Sequence, residues 1–372
     1  MENYGMRHLA SSDRKTPLLA IIGCGLVSKL GHAPALEFLS RHGLCKVTYL
    51  VDPNLNRARE IQMFFPQARC VKSIDELDLK QLDMAIVATH HRLHEQLCRK
   101  LLGAGLHVLC EKPFCSSASE AKGLVELASK NDLLLGVGLL RRFAPWTAAV
   151  REILQAETFG KLISFDFSEG RFGMWPTQEF DFVKRETSRY GVFLQLGIHI
   201  TDLLIHWFGL PERFELFDDC MGGLDVNASL QAEFANGSRG TLRLSFDRST
   251  KQRLFFQFEK AWIACDTVNF EKLEFGLKGS TALESYLCRK VWFREIPQLS
   301  RISASFSQLF VYQLLNFFAA LNREEDLLVS AEAALSSMQF IESCYAQSKL
   351  MKMAWLSSEE EERALALRGA GL

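Results

Sequence analysis

The stretch from residue 17 to residue 30 decides the fold of this chain; it reads Pro-Leu-Leu-Ala-Ile-Ile-Gly-Cys-Gly-Leu-Val-Ser-Lys-Leu. Its five apolar residues at 18–22 predict a short buried strand, which Gly23 and Gly25 end before a helical pattern begins. In such a turn the free N–H groups of a helix start face a glycine-lined space, where a pyrophosphate can bind. The motif also fits a plain strand, turn and helix, and its third small residue is Ser28 instead of Gly or Ala.

The composition is that of an ordinary globular protein. With 372 residues, 48% hydrophobic and 23% charged, the chain is long enough for two domains. Because 43 Lys and Arg balance 44 Asp and Glu, the charge gives no reason to expect nucleic acid or a membrane surface as a partner. No signal-like segment or long apolar run is present, so we expect a cytoplasmic protein with a small-molecule partner. The ten cysteines lack metal-ligand spacing, so free thiols and no metal site are expected.

Strand and helix patterns alternate up to about residue 140. This alternation predicts a doubly wound parallel sheet. Together with the glycine turn after its first strand, it leads us to interpret residues 17–140 as a dinucleotide-binding domain. The predicted strands are 18–22, 46–51, a short one at Cys70, 84–88, 106–110 and 133–138, with helices near 56–65, 93–102 and from 118.

Beyond residue 140 the apolar residues alternate with polar ones. This pattern predicts a mostly antiparallel sheet in a second α/β domain over 141–356, with helices at 190–209, 305–321 and 330–349. Residues 1–16 are predicted to be a flexible arm, and residues 357–372 a charged, solvated tail.

Asp52 and Lys112 each follow a predicted strand of the parallel sheet, so both are expected at its carboxyl edge. A carboxylate at Asp52 can accept both ribose hydroxyls and repels a 2′-phosphate, which favours NAD over NADP; alternatively, Asp52 merely starts a turn. The Lys112 ammonium could polarise a carbonyl or hold an alkoxide beside a nicotinamide. The alternative for Lys112 is a surface lysine paired with Glu111.

Four polar residues interrupt the apolar segment 190–209. Gln195, His199, Asp202 and His206 are spaced i, i+4, i+7 and i+11, which places them on one face of a helix. Buried polar groups must be hydrogen-bonded or line a cavity, and imidazole suits proton transfer near neutral pH. His199 is therefore the candidate acid/base, whereas Asp202 and His206 are interpreted as structural or orienting groups.

Arg171 and Trp175 end the first strand of the second domain. They could give a substrate pocket a cation and an aromatic wall, which would suit a sugar with a carboxylate or phosphate. A strand-end salt bridge and a core Trp explain the same residues equally well.

Several motifs together resemble the Gfo/Idh/MocA family of glucose-fructose oxidoreductase and inositol dehydrogenase relatives. They are Gly23-Cys24-Gly25, Asp52, Ala88-Thr89…His94, Glu111-Lys112-Pro113, Arg142-Phe143, Phe159-Gly160-Lys161 and Gly197-Ile198-His199-x-x-Asp202. The resemblance implies a Rossmann domain plus an α/β domain with an open sheet, NAD or NADP, and hydride transfer at a carbinol carbon of a sugar or cyclitol. It also implies a homo-oligomer, a homodimer or homotetramer.

The resemblance further implies a set of site residues. Lys112 would hold the substrate oxygen and relay its proton, and His199 would be the acid/base. We place Gln195, Arg171, Trp175 and Asp202 at the substrate. At the cofactor we place Gly23, Gly25, Leu26, Val27, Asp52, Thr89, His90, His94, Glu111 and Lys112.

The sequence departs from the family pattern in two places. Gln195 stands where many of these dehydrogenases have Asp, and an amide cannot accept a proton as a base. His90-His91 replaces the usual Pro-Asn after Ala88-Thr89. Two further hypotheses therefore stay open: a non-catalytic, NAD-responsive binding or regulatory protein, and a redox-neutral NAD-dependent sugar-processing enzyme.

Overall fold

A computed structural model describes residues 16–171, 190–288 and 306–371 of the chain. Two compact units divide these residues, the first holding 16–145 and 306–336, and the second 146–171, 190–288 and 337–371. The predicted boundary near residue 140 lies close to the first division. The predicted arm over 1–16 lies outside the described residues except for exposed Thr16.

The first unit contains the predicted doubly wound parallel sheet. Its six strands are β1 (Leu18–Ile22), β2 (Lys46–Val51), β3 (Arg69–Val71), β4 (Met84–Val87), β5 (His107–Cys110) and β6 (Leu135–Val137). All neighbouring pairs are parallel, in the order β3-β2-β1-β4-β5-β6. The connecting helices are α1 (Ala33–Arg41), α2 (Leu55–Gln62), α3 (His94–Gly103) and α4 (Ala118–Lys130). Because the order reverses between β1 and β4, the loops after these strands border the crevice where such sheets bind ligands.

The second unit is built on a nine-stranded, mostly antiparallel sheet, as the alternating pattern predicts. Its strands are β7 (Leu162–Gly170), β8 (Arg213–Asp218), β9 (Asn227–Glu233), β10 (Arg239–Ser245), β11 (Arg253–Phe258), β12 (Ala261–Asp266), β13 (Lys272–Leu277), β14 (Glu284–Leu287) and β15 (Lys349–Leu350). The order is β14-β13-β12-β11-β7-β10-β9-β8-β15, and only β7–β10 and β8–β15 are parallel among these pairs.

The remaining helices are α5 (Pro145–Gln155), α6 (Val192–Gln195), α7 (Gly197–Phe208), α8 (Phe306–Leu321), α9 (Ala331–Ala346) and α10 (Ser358–Gly371). Helix α7 covers one face of the nine-stranded sheet, where Phe165 and Phe167 of β7 contact Phe208 and Trp207. Asp166, between these two phenylalanines, points to the other face and is exposed.

Helix α8 belongs to the first unit, although the sequence pattern assigned it to the second domain. It packs beside α1, and the ring of Phe310 meets that of His32 at 4.7 Å. The sequence analysis assumed that the second domain is continuous in the chain. Instead, the buried apolar side chains of α8 pack against helices of the first unit.

The C-terminal segment corrects the prediction of a solvated tail. Residues 358–371 form α10, whose acidic first turn is exposed but whose Ala364 and Arg368 are buried. Arg368 makes an ion pair with buried Asp218 of β8 and donates to the Cys220 carbonyl at 3.2 Å. The sequence did not reveal the buried face of α10, because the two buried residues are only one helix turn apart.

Arg368→Met is expected to lower the free energy of unfolding by about 3–5 kcal/mol, because Asp218 would stay buried without its counter-charge. Arg363→Met, on the exposed side of the same helix, is the control and should change it by less than about 0.5 kcal/mol. Urea unfolding followed by tryptophan fluorescence measures both. Equal stability of the two variants would show that the ion pair does not hold α10.

Candidate functional site

The glycine loop after β1 has the shape that a pyrophosphate seat requires. Gly23 has a φ of +91° and its N–H donates to the Val51 carbonyl at 2.8 Å. A Cβ at Gly23 would lie 2.5 Å from the Ala88 carbonyl oxygen, so a side chain is excluded. A Cβ at Gly25 would meet no protein atom within 4 Å, so the loop has open space at this point. Ser28 stabilises the turn, because its hydroxyl donates to the Gly23 carbonyl at 2.6 Å.

The helix that follows begins at Leu26 and runs through a π-helical turn, Ser28–His32, into α1. Leu26 and Val27 are half-buried in its first turn, whose N–H groups have no carbonyl of the same helix to bond. Those N–H groups and the helix dipole favour an anion. The loop therefore fits the pyrophosphate of a dinucleotide.

Asp52 is buried at the end of β2 and is bonded to the backbone. Its carboxylate accepts the N–H of Cys24 at 2.9 Å and that of Asn54 at 2.8 Å. The second bond is the turn that the sequence allowed as an alternative, and the first ties Asp52 to the glycine loop. Each carboxylate oxygen keeps a second lone pair, so these bonds leave acceptor capacity for a ribose hydroxyl.

Two stacked histidine rings follow β4 and half-buried Thr89. The ring centroids of His90 and His91 are 4.3 Å apart, and His90 Nδ1 accepts the N–H of Arg92 at 3.4 Å. Burial is the main cause that lowers the pKa of His91 to about 3, and the charges of His90, His94, Arg92 and Lys112 add to it. His91 is therefore neutral at physiological pH. Sequence reasoning noted it as a departure from the family pattern and gave it no role.

His94, which the sequence analysis placed at the cofactor, is buried inside the first unit. Its side chain is 0% exposed, with Nδ1 at 3.0 Å from the Pro113 carbonyl and Nε2 at 3.0 Å from the Thr89 carbonyl. It thus joins the loop after β4 to the loop after β5 from inside the unit. Because its side chain is fully covered by protein, His94 has no exposed atom for the cofactor contact predicted for it.

Glu111 also points inward, whereas Lys112 beside it is half-buried. The Glu111 carboxylate bonds His32 Nε2 at 2.8 Å and accepts the backbone N–H of Lys112 at 3.1 Å. Sequence reasoning assigned Glu111 to the cofactor and did not single out His32. No local signal could have paired them, since 79 residues separate them in the chain.

In the second unit, the predicted helix over 190–209 is wrong as a single element. It is broken at Leu196 into α6, which ends at Gln195, and α7, which carries His199. The first residue of α7 is Gly197, where a Cβ would lie 2.7 Å from Leu244 Cδ1 of the sheet.

Three of the four polar residues remain together on one face of α7, at i, i+3 and i+7. Asp202 is buried, and its Oδ1 accepts the Ser337 hydroxyl at 3.1 Å. His199 and His206 are half-buried. Gln195 is buried at the end of the preceding helix, outside this register.

Asp225 and Tyr345 anchor the segment before Gln195, a role that the sequence gave no means of assigning. The Asp225 carboxylate accepts the N–H groups of Gly191 at 2.8 Å and Phe193 at 2.9 Å, and the Tyr345 hydroxyl at 2.9 Å. The same hydroxyl accepts the Leu194 N–H at 3.2 Å. The start of α6 is thereby fixed by side chains from two distant parts of the chain.

Burial raises the pKa of Asp225 to about 6, although its three donors oppose the shift. The folded state therefore holds a proton at pH 4–6 that the unfolded state has lost, so this group stabilises the fold most at low pH and less as the pH rises through 6. Relative to Asp225→Asn, the parent should lose about 2 kcal/mol of stability between pH 4 and pH 7.

Urea unfolding at several pH values measures this difference, with exposed Glu362→Gln as the control variant. A parent and an Asp225→Asn variant whose stabilities run parallel across the range would contradict the raised pKa.

Arg171 follows β7 directly, is exposed, and donates its backbone N–H to the Ser245 carbonyl at 3.1 Å. The predicted aromatic wall at Trp175 lies outside the described residues. Across residues 16–171, 190–288 and 306–371, no helix has the length and apolarity needed to cross a bilayer.

Comparison with known proteins identifies the two halves separately. Residues 18–139 match the model of an oxidoreductase family with an NAD-binding Rossmann fold, and residues 147–264 match the GFO/IDH/MocA C-terminal domain. The chain is 26% identical over 195 residues to scyllo-inositol 2-dehydrogenase (NADP(+)) IolW of Bacillus subtilis, covering 52% of each chain. It is 28% identical over 245 residues to mouse trans-1,2-dihydrobenzene-1,2-diol dehydrogenase, covering 62% of this chain and 72% of the mouse protein. The chain thus spans about half the length of the first of these relatives.

Solved structures share the fold. An oxidoreductase from Thermotoga maritima aligns with a TM-score of 0.77 at 20% identity, covering 90% of this chain and 97% of the other. A 3-ketoreductase from Actinomadura kijaniata, in complex with NADP and TDP-benzene, aligns with a TM-score of 0.74 at 17% identity, covering 91% and 100%. With a parallel nucleotide-binding sheet, an open second sheet and both family models matched in order, the chain belongs to the GFO/IDH/MocA oxidoreductase family.

Proposed function

We propose that this protein is an NAD(H)-dependent oxidoreductase acting on a carbinol or keto carbon of a sugar, sugar nucleotide or cyclitol. The observation that carries the proposal is that Lys112 and the glycine loop both lie at the carboxyl edge of the parallel sheet. Lys112 follows β5 and the loop follows β1, two strands away in the sheet, hence roughly 10 Å at the usual strand spacing. A dinucleotide seated on the loop would bring its other end within reach of an ammonium at this distance.

The chain's own residues would supply binding and proton transfer. A bound nicotinamide supplies the hydride chemistry. The Lys112 ammonium would hold the substrate oxygen and stabilise negative charge that develops on it, while neutral His91 nearby adds no competing charge. His199 would take the hydroxyl proton on oxidation and return it on reduction. Gln195 would bond a substrate hydroxyl, since an amide donates and accepts hydrogen bonds but cannot act as the base.

NAD is proposed over NADP because of Asp52. A 2′-phosphate would have to approach a buried carboxylate next to the glycine loop, where charge repulsion is weakly screened. The relatives' names include both cofactors, since the Bacillus dehydrogenase is named for NADP(+) and an Agrobacterium radiobacter oxidoreductase was solved with NAD+.

The test is to incubate the protein with NAD+ or NADP+ and pools of cyclitols, sugars and sugar nucleotides, following reduced cofactor and product masses together. Reduced cofactor with one pool supports the dehydrogenase. A changed substrate mass without net reduction would replace it by the redox-neutral reaction. Cofactor binding with neither signal would favour the non-catalytic binding protein, the hypothesis to which Gln195 points.

We propose also that the protein forms a homodimer or homotetramer through the exposed face of the nine-stranded sheet. The cross-strand ion pair of Asp166 and Arg243 lies on that face, and such mixed charge is self-complementary in a two-fold contact. Sedimentation of the parent and of Arg243→Glu tests it, with a monomeric parent as the contrary result.

A further inference from the structure

A buried pair of polar side chains connects the helix after the glycine loop with the strand end that carries Lys112. His32 and the side chain of Glu111 are almost fully covered, and His32 Nε2 lies 2.8 Å from Glu111 Oε1. A carboxylate only accepts hydrogen bonds, so Nε2 carries the proton of this bond. Among the described residues, no hydrogen-bond partner lies near His32 Nδ1, so the Nε2 bond is the one that the imidazole makes.

The other oxygen of Glu111 bonds the chain at Lys112. Glu111 Oε2 accepts the backbone N–H of Lys112 at 3.1 Å. A Cβ at Gly138 would lie 2.7 Å from this oxygen, so the carboxylate rests directly on the backbone beyond β6 and has little room to rotate. A carboxylate held at both oxygens fixes the backbone at which the Lys112 side chain begins.

The π-helical turn after the glycine loop places His32 beside Glu111. His32 ends the π-helical turn Ser28–His32, and its ring meets the edge of Phe310 from α8 at 4.7 Å and 77°. Phe310 can approach so closely because residue 31 is a glycine. A Cβ at Gly31 would lie 2.4 Å from the Phe310 ring. Isolated π-helical turns inside helices are frequent at functional sites.

We infer that His32 is a positioning residue for Lys112, acting through the Glu111 carboxylate. The inference rests on the proposed function for the part that Lys112 has in turnover. The placement of Lys112 itself can be measured without a substrate.

The readout is the rate at which trinitrobenzenesulfonate labels Lys112, followed by peptide mass spectrometry and divided by the rate at exposed Lys130 of the same sample. His32→Leu removes the donor at similar volume, and His32→Gln keeps an N–H donor of similar reach. In His32→Leu the relative rate at Lys112 should rise roughly fivefold, the change expected for the loss of one hydrogen bond. His32→Gln should stay close to the parent.

Where a substrate is known, kcat of His32→Leu should fall roughly tenfold with NADH affinity unchanged, and His32→Gln should restore it. If His32→Leu does not fold, Glu111→Gln tests the same pair, since it keeps the size and removes the two-acceptor carboxylate. Unchanged relative labelling of Lys112 in a folded His32→Leu variant would overturn the inference. A parent that reduces no cofactor with any pool would refute only the proposed function, because labelling still reports the pair.

Discussion

Replacing Lys112 by methionine is expected to lower turnover by roughly a thousandfold or more, while NADH affinity stays within about threefold. Methionine matches the length and packing of the lysine stem but has no charge to hold a substrate oxygen. The proposed dinucleotide seat consists mainly of the glycine loop and Asp52, and the substitution leaves both intact. The loss should therefore be in kcat, with cofactor binding preserved.

The measurement compares the parent, Lys112→Met and Lys130→Met for NADH formation with the active pool and for NADH binding by fluorescence. Lys130 ends α4 and is exposed, so its variant should behave as the parent. A Lys112→Met variant with parental turnover would remove Lys112 from the mechanism. His199→Asn separates the second role, because it should remove the pH dependence of turnover that a titrating imidazole gives.

The sequence predicted the frame of the site well because its signals are local. A buried strand followed by Gly23 and Gly25 has few structural interpretations, and alternating strands and helices predict a parallel, doubly wound sheet. Asp52 and Lys112 were placed correctly at strand ends, since both positions follow directly from the ends of apolar segments.

The direction of side chains could not be predicted in the same way. Glu111 was assigned to the cofactor because it follows a strand end, and His94 because of the family motif. Both instead point inward to partners that only the folded chain supplies. The start of α6 is held by Asp225 and Tyr345, which lie 120 residues apart. Periodicity reports which face of a helix is apolar but not where distant groups interrupt it.

Substitution of the two loop glycines by alanine is the second change with a large expected effect. Gly23→Ala should lower stability, whereas Gly25→Ala should weaken NADH binding. Gly23→Ala places a Cβ 2.5 Å from the Ala88 carbonyl oxygen at a φ of +91°. Strain of about 1–3 kcal/mol and a clash of similar size should destabilise the first unit. Gly25→Ala meets no protein atom within 4 Å, so the free energy of unfolding should barely change.

Gly25→Ala should instead weaken NADH binding, because its methyl group enters the space that a pyrophosphate needs. Overpacking of about 1–3 kcal/mol corresponds to a roughly tenfold to hundredfold higher Kd. Gly103→Ala, at the end of α3 and also without a neighbour within 4 Å, is the matched control and should change neither quantity much. Thermal unfolding and fluorescence titration with NADH of the three variants give both quantities. If Gly25→Ala bound NADH as tightly as Gly103→Ala, the pyrophosphate would not lie on this loop, and the cofactor site would have to be sought elsewhere on the sheet edge.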